Sequence, residues 1–398
     1  MFHNTLCVRH MKQILPEIRE LNQHLNFLKN FSTKGGFRHI QQYISGLITL
    51  EKKTIKKISE ASLSEKSHSA IARMLSDGKL EQKNLERRYF KKIAYYAKGF
   101  DVYLSIDDTH SEHEGEGIYG VQVHKSHTSK GYLKGHQFVT GLLCFGMYKM
   151  PVFPLLYTKE TDSKIEMAKL LFNKVSKQVE LHTVIFDGWY SDKSLIKMIK
   201  TKGVRIVCQV KTNRKIKQKD RTYCYLSSYT QQIDLSEEYW IDGTLYRAEK
   251  QISKLKQVPL GALVFSEQFF TSQKVWSKHI HIFSSRKEDT IVQVIRTYKQ
   301  RWAIEVMHRD LKQYLGFDKA MLRSKTGVVR HSMLCVIAYA VLQLFMTQHK
   351  LDMSIGESIN YLREQTMNNF IKEIVEIESK NERMEAFQML FIRKTAKV

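Results

Sequence analysis

Three acidic residues stand where they could act together. Asp107 and Asp187 each directly follow a short apolar run, Val102 to Ile106 and Thr183 to Phe186. Glu305 lies in a helical stretch with Tyr298, Arg301 and Lys312. At roughly 100° per residue these last four fall within an arc of about 60°, joined by Trp302 and Arg309. Ala303, Ile304, Met307, Leu311 and Tyr314 take the opposite side. One face of that helix is therefore expected to pack, while the other gathers an acid, cations and aromatic rings. The whole chain has 64 Lys and Arg against 40 Asp and Glu, a formal charge of +24, which calls for a polyanionic partner. Carboxylates on such a chain suit phosphoryl transfer. Two hard cations about 3.5–4 Å apart activate the nucleophile and stabilise the leaving oxygen, and magnesium keeps enough water that two or three acids hold such a pair. Arg301 and Lys312 would grip phosphates near the metals. A turn or N-cap role for each aspartate, and an ordinary helical ion pair for Glu305, are the plainer alternatives.

The acids must be brought together by the fold, because 80 positions separate the two aspartates. In an open α/β sheet the C-terminal strand ends share one edge, where ligands bind. From Phe100 the chain reads as strands Val102 to Ile106, Tyr119 to Val123, Gln137 to Met147 and Val152 to Tyr157. A helix from Ser163 to Val179 leads to the strand Thr183 to Phe186. Asp192 opens a second helix that Gly203 closes before the strand Val204 to Val210. From Lys211 to Lys278 helical periodicity vanishes and short strand-like pieces, Gly243 to Ala248 and Leu260 to Phe265 among them, alternate with charged turns. After the strand His279 to Phe283, one long helix is expected from Asp289 to Leu315, with apolar helices to Phe345.

The first hundred residues read helical and basic, 19 Lys and Arg against 8 Asp and Glu. Within them Ser67 is placed to cap a helix through Ser76, and Gly78 to end it before a second helix, Leu80 to Lys98, a helix-turn-helix-sized pattern. The longest apolar run, Met333 to Met346, is interrupted by Gln343 and falls short of the roughly 20 residues that span a bilayer, so it reads as a buried helix and no membrane partner is expected. Cys7, Cys144, Cys208, Cys224 and Cys335 show no metal-ligand or paired spacing. Met1 to Glu20 has no continuous apolar stretch of the secretory kind, and a reducing cytoplasm is expected.

Tyr298, Arg301, Glu305 and Lys312 also reproduce a spacing of four fixed types, Y-x2-R-x3-E-x6-K. With Asp-Asp-Thr after the first strand and Phe-Asp-Gly-Trp-Tyr after the fourth, the chain from about 100 to 345 resembles bacterial insertion-sequence transposases of the DDE class, in the branch marked by a Tyr-Arg-Glu-Lys signature. The resemblance implies an α/β, RNase H-like catalytic core interrupted by a β-rich insertion. The parts would be a basic helical, DNA-binding region at 1–98, core at 99–211, insertion at 212–278, core with the Glu helix at 279–348, and C-terminal helices, a possible dimerisation region, at 349–398. It implies Asp107, Asp187 and Glu305 as catalytic metal ligands for two Mg2+ ions, with Mn2+ as substitute. It further implies nicking of double-stranded DNA at transposon ends, strand transfer into target DNA, and a homodimer in a synaptic complex, nucleoid-associated in a bacterial cytoplasm. Tyr298, Arg301, Lys312 and Arg309 would hold DNA. In related enzymes a flipped base stacks on a tryptophan of the insertion; Trp276 is the candidate here, with Trp240 competing. An adopted transposase that only binds DNA and a purely hydrolytic nuclease on the same fold stay open as alternatives.

Three local readings complete the expectation. Asp107 and Asp108 are adjacent and alternate along a strand, so only one serves as ligand; the Asp, any residue, Thr pattern favours Asp107, with Asp108 as alternative. His110, His113, His124, His127 and His136 match no metal motif and are expected as solvated residues of a loop over DNA. The Lys125 to Lys134 loop, rich in Lys, Ser and Gly, is expected to touch phosphate.

Overall fold

The computed structural model describes residues 18–31, 33–61, 68–78, 80–113, 115–125, 131–218, 220–319 and 321–384. The chain forms two compact units, one of Met1–Arg88, Ser111–Val121 and Asp310–Val398, the other of Tyr89–His110 and Gln122–Arg309.

The first unit is helical. Its described elements are α1 (Arg19–Leu25), a 3-10 turn (Asn26–Phe31), α2 (Lys34–Thr49), α3 (Ile55–Ala61), α4 (His68–Ser76), the first residues of α5 (Gln82–Ala97), α11 (Lys325–Gln348) and α12 (Ile355–Val375). The apolar run read as a buried helix forms α11, which packs on α1, α2, α4 and α12. It is long and apolar enough to cross a membrane, yet 94% of its most apolar window is buried inside the protein. Arg330 of α11 donates to the carbonyls of Met74, Leu75 and Leu80, taking up acceptors that the end of α4 leaves open. α4 starts at His68 as expected, but the proposed cap, Ser67, lies outside the described residues, as do Cys7, His127, residues 126–130 of the lysine-rich loop and most of the first twenty residues.

The second unit is built on a sheet that has eleven strands among the described residues. These are β1 (Tyr103–Glu112), β2 (Gln122–Lys125), β3 (Tyr132–Phe145), β4 (Tyr148–Tyr157), β5 (Thr183–Phe186), β6 (Arg205–Gln209), β9 (Glu238–Ile241), β10 (Thr244–Lys254), β11 (Leu260–Phe270), β12 (Val275–Trp276) and β13 (Ile280–Ser284), with β7 (Lys215–Lys217) and β8 (Tyr223–Tyr225) as a separate pair. The order is β2-β3-β1-β5-β6-β13-β11-β10-β9, with β4 beside β3 and β12 beside β11. β1, β5 and β6 run parallel, while β3–β4, β6–β13, β13–β11, β11–β10 and β10–β9 are antiparallel. Strands from the segment read as β-rich thus continue the same sheet. The fold is mixed α/β.

Helices α6 (Lys164–Ser176), α7 (Lys193–Thr201), α8 (Leu226–Thr230), α9 (Ile291–Lys299) and the part of α10 (Trp302–Leu315) up to Arg309 complete the unit. α7 follows the sequence reading closely: Asp192 accepts from the backbone N–H of Ser194, and Gly203, at φ +74°, closes the helix in a conformation that side chains disfavour. The single long helix expected from Asp289 does not form. α9 begins at Ile291, capped by Thr290 in a reciprocal bond with Gln293, because Asp289 is engaged by Arg205 and Ser284 in the interior. The helix then tightens at Gln300 and Arg301, whose N–H groups donate to the carbonyls three residues back, so α9 and α10 are separate segments.

Candidate active site

β1 does not stop before Asp107, as expected, but runs on to Glu112; only its pairing with β5 stops, at Ile106↔Phe186. The register of these parallel strands then sets positions 107 and 187 side by side at the next step. This is how the fold closes the 80-residue gap. Thr140 of β3 donates to the Asp107 carbonyl at 3.0 Å and contacts Nε2 of buried His308 on α10 at 2.7 Å.

Each carboxylate is held differently. Asp187 begins a tight turn in which its Oδ1 accepts from the N–H groups of Trp189, at 2.9 Å, and Tyr190, at 3.2 Å. Ser191 closes the turn by donating to Gly188 O, and Arg214 donates to Ser191 O. Asp107 Oδ1 accepts from the N–H of Asp108 at 2.8 Å, and its Oδ2 meets Arg301 Nη1 at 3.1 Å. The other arm of Arg301 pairs with Glu305 Oε1. Arg301 therefore bridges Asp107 and Glu305. Burial, and next the charge of Asp187, push the Asp107 carboxyl up to about 7 despite Arg301 and the Asp108 N–H. Burial opposes the charge of Arg301, yet Tyr298, Asp107 and Glu305 more than offset it and raise its pKa above the usual guanidinium value.

Asp108 takes another set of partners: Tyr190 OH at 3.1 Å on Oδ1, Gln137 Nε2 at 2.6 Å and Lys164 Nζ at 3.1 Å on Oδ2. The two adjacent aspartates are thus distinguished by surroundings. Asp107 faces the other acids; Asp108 is enclosed by donors. The Lys164 ammonium also lies 4.1 Å from the centre of the Trp189 ring.

The remaining expected residues are distributed as follows. Tyr298 is half-buried against Val207, Ile241, Tyr246 and Val264, and its hydroxyl donates to Gln209 at 3.0 Å. Burial pushes that hydroxyl up to about 12. Ile304, Met307 and Leu311 are buried as expected, whereas Trp302 is 63% exposed and Arg309 is exposed. Lys312 falls in the first unit, where burial lowers its pKa against the pull of Asp318 and Glu112. Trp276 is half-buried, with Phe269 at 5.1 Å and the Arg247 guanidinium 4.2 Å from its ring centre; Trp240 is 74% exposed on β9. The four described histidines of this group are not a solvated loop. His110 belongs to β1 and is half-buried against Gln137, His124 belongs to β2, and His113 and His136 are buried, because the strands extend further than the sequence pattern implied. Sequence reasoning missed Lys164, Gln137, Gln209 and the structural part of Trp189 and Tyr190. The last two stood in the quoted Phe-Asp-Gly-Trp-Tyr run, but Lys164 and Gln137 carried no local signal.

Among the described residues, no group of three or more His, Cys, Asp or Glu side chains lies close enough to hold a metal as the side chains stand. The donor chemistry nevertheless fits a hard cation. Asp107, Asp187 and Glu305 offer oxygen ligands alone, and Asp187 Oδ2 and Glu305 Oε2 take no protein donor among the described residues. Arg301 supplies the positive charge between Asp107 and Glu305.

A family model described as "Transposase DDE domain" matches residues 98–341, more than half of the chain. The chain belongs to the DDE transposase family. A second model, "DDE superfamily endonuclease", matches residues 26–163 of this transposase. Among solved structures, the transposase is similar to a piggyBac transposase synaptic complex with hairpin DNA, determined by cryo-EM, at 11% identity and a TM-score of 0.47 over 97% of this chain and 84% of that one. No curated protein matches its sequence. The two family descriptions make the protein an enzyme of the nuclease and transposase kind.

Proposed function

We propose that this DDE transposase is a bacterial insertion-sequence enzyme of the Tyr-Arg-Glu-Lys branch, with an RNase H-like core, acting as a homodimer on double-stranded DNA in the cytoplasm. It nicks DNA at the element's ends with water and then joins the freed 3′ hydroxyl to target DNA. The observation that carries this reading is that one guanidinium joins two acids from distant segments, one of which neighbours the third. Asp107 and Asp187 sit at adjacent steps of parallel strands, and Arg301 ties Glu305 to Asp107. The RNase H-like assignment draws support from the antiparallel β3–β4 hairpin beside β1, with β5 and β6 parallel to it.

In this mechanism Asp107, Asp187 and Glu305 would hold Mg2+, for which Mn2+ would substitute, and the ions would supply the charge that activates the attacking hydroxyl and stabilises the departing 3′ oxygen. The turn at 187–191 fixes Asp187 Oδ1, so that Oδ2 is the oxygen left to bind. Arg301 exchanges a carboxylate for a phosphate oxygen, which its forked guanidinium can hold in two bonds. Nicking breaks the P–O3′ bond with oxygen from water entering at phosphorus; joining repeats the displacement with the 3′ hydroxyl as nucleophile. Trp276 is the preferred stacking residue. β12 pairs with the β11 end that lies beyond Ile280, at the same sheet edge as the ends of β5 and β6, whereas Trp240 is two strands further out.

The test is nicking and joining on a duplex carrying the sequences that flank the gene. Asp187→Asn and Glu305→Gln are expected to lose both reactions while binding the duplex as the parent does. Full activity in either variant overturns the assignment. A pre-cut 3′ end that is never joined identifies a hydrolytic nuclease, and binding by the parent chain without any cleavage identifies a protein that only binds DNA.

A further inference from the structure

Asp108 is poorly explained as a spare ligand. Its side chain is 13% exposed and its two oxygens accept from three groups on three elements: Gln137 of β3, Lys164 of α6, and Tyr190 of the turn after β5. An anion so enclosed has its lone pairs engaged and its charge balanced by the Lys164 ammonium, so it has little to offer a cation. Tyr190 is the informative partner. Its backbone N–H donates to Asp187 Oδ1 while its hydroxyl donates to Asp108 Oδ1. The ring between those ends is fully buried, which prevents it from swinging. A continuous path therefore runs from Asp107 through the next residue of β1, across one hydrogen bond to Tyr190, and back to the carboxylate of Asp187. Lys164 braces the same turn from the other side by lying over Trp189.

We infer that Asp108 and Tyr190 are positioning residues: their hydrogen bond fixes the Asp187 carboxylate relative to Asp107, so that the two acids bind a divalent cation together. The inference rests on the metal-ligand reading of Asp107 and Asp187. Groups that orient ligands in this way influence metal affinity or activity by about 10–100-fold. Tyr190→Phe removes only the hydroxyl, and Asp108→Leu keeps the approximate side-chain shape while removing the acceptor of that bond.

The experiment measures Mn2+ binding to the full chain by calorimetry and by the Mn2+ electron paramagnetic resonance spectrum, together with kcat and KM for nicking, in the parent, both single variants and the double variant. Each single variant is expected to bind Mn2+ roughly tenfold more weakly and to nick with kcat reduced about 10–100-fold at unchanged KM. The double variant should be no worse than the poorer single one, since both remove the same bond. Parental Mn2+ affinity, spectrum and kcat in Tyr190→Phe overturn the positioning role, as does additivity of the two defects. Loss of all nicking in Asp108→Leu, to the level of Asp187→Asn, with Tyr190→Phe unaffected, overturns it too and makes Asp108 the ligand. Failure of the parent chain itself to bind Mn2+ overturns the metal-ligand reading and the positioning role with it.

Discussion

Asp107 is the carboxyl whose ionisation the fold opposes most visibly, and this gives a measurable stability effect. Its pKa rises from 3.8 to about 7 because the side chain is buried and because Asp187 lies beside it. A raised value means that the folded chain holds the proton more tightly than the unfolded one. The contribution is fully present below about pH 4 and is lost as the pH climbs through 7. The gap of roughly 3 units corresponds to a ceiling of about 4 kcal/mol against folding at pH 8. Asp107→Asn removes the ionisation, keeps an acceptor for the Asp108 N–H, and gives up the attraction to Arg301. A net gain of about 2 kcal/mol is expected, which for a cooperative unit of this size raises Tm by roughly 4–8 °C. Thermal unfolding in a chelating buffer at pH 4.5, 6 and 8 checks it: the variant should be more stable at pH 8 and the difference should shrink steadily with acid. Mg2+ should stabilise the parent at pH 8 and leave the variant nearly unmoved, because only a ligand set that binds the ion shifts the folding equilibrium. A variant that melts below the parent at pH 8, or a difference independent of pH, would refute the reasoning.

Two further substitutions probe the scaffold. Arg330→Met leaves the carbonyls of Met74, Leu75 and Leu80 without their buried donor, and a loss of about 2–4 kcal/mol is expected in urea unfolding. Gly261→Ala would set a methyl group 2.1 Å from the Ser284 carbonyl in the β11–β13 pair, so it should cost about 2–3 kcal/mol or more and lower the urea midpoint. A parental midpoint in either variant counts against the packing described.

The parts of this fold that were legible in the sequence are those set by local chemistry. Thr183 to Phe186 is β5 to the residue, and Asp192 and Gly203 bracket α7, because strand hydrophobicity, an N-cap and a left-handed glycine are all written within a few positions. The apolar stripe of α10 was equally plain. What stayed hidden depends on partners far away in sequence. The polar run from Asp107 to Glu112 has no strand pattern of its own, yet it continues as β1, the central neighbour of β3. Asp289 resembles a helix start until Arg205, 84 positions earlier, claims it. The choice between Asp107 and Asp108 was posed correctly by alternation, but the surroundings that separate them come from Gln137, Lys164, Tyr190 and Arg301, none of which a local pattern could assign.

Arg301 explains why a four-residue spacing was the strongest signal of all. Its bond to Glu305 is a helical i,i+4 contact and so requires fixed spacing; its bond to Asp107 joins residues 194 positions apart and requires the sheet. One guanidinium is formally a single positive charge set against the carboxylates of Asp107, Asp187 and Glu305. It cannot balance them all. Burial first, and then the repulsion from Asp187 that Arg301 leaves uncancelled, push the Asp107 carboxyl up to about 7. A lysine at position 301 would carry the same charge but could not span two carboxylates with a planar fork. The short, tightened turn at Gln300 and Arg301 that ends α9 points the guanidinium into this cluster while Tyr298, one turn earlier, remains packed on β6. The irregularity in the helix and the spacing of the signature therefore have the same cause: one residue must serve the interior of the sheet and another, three positions on, the acids at its edge.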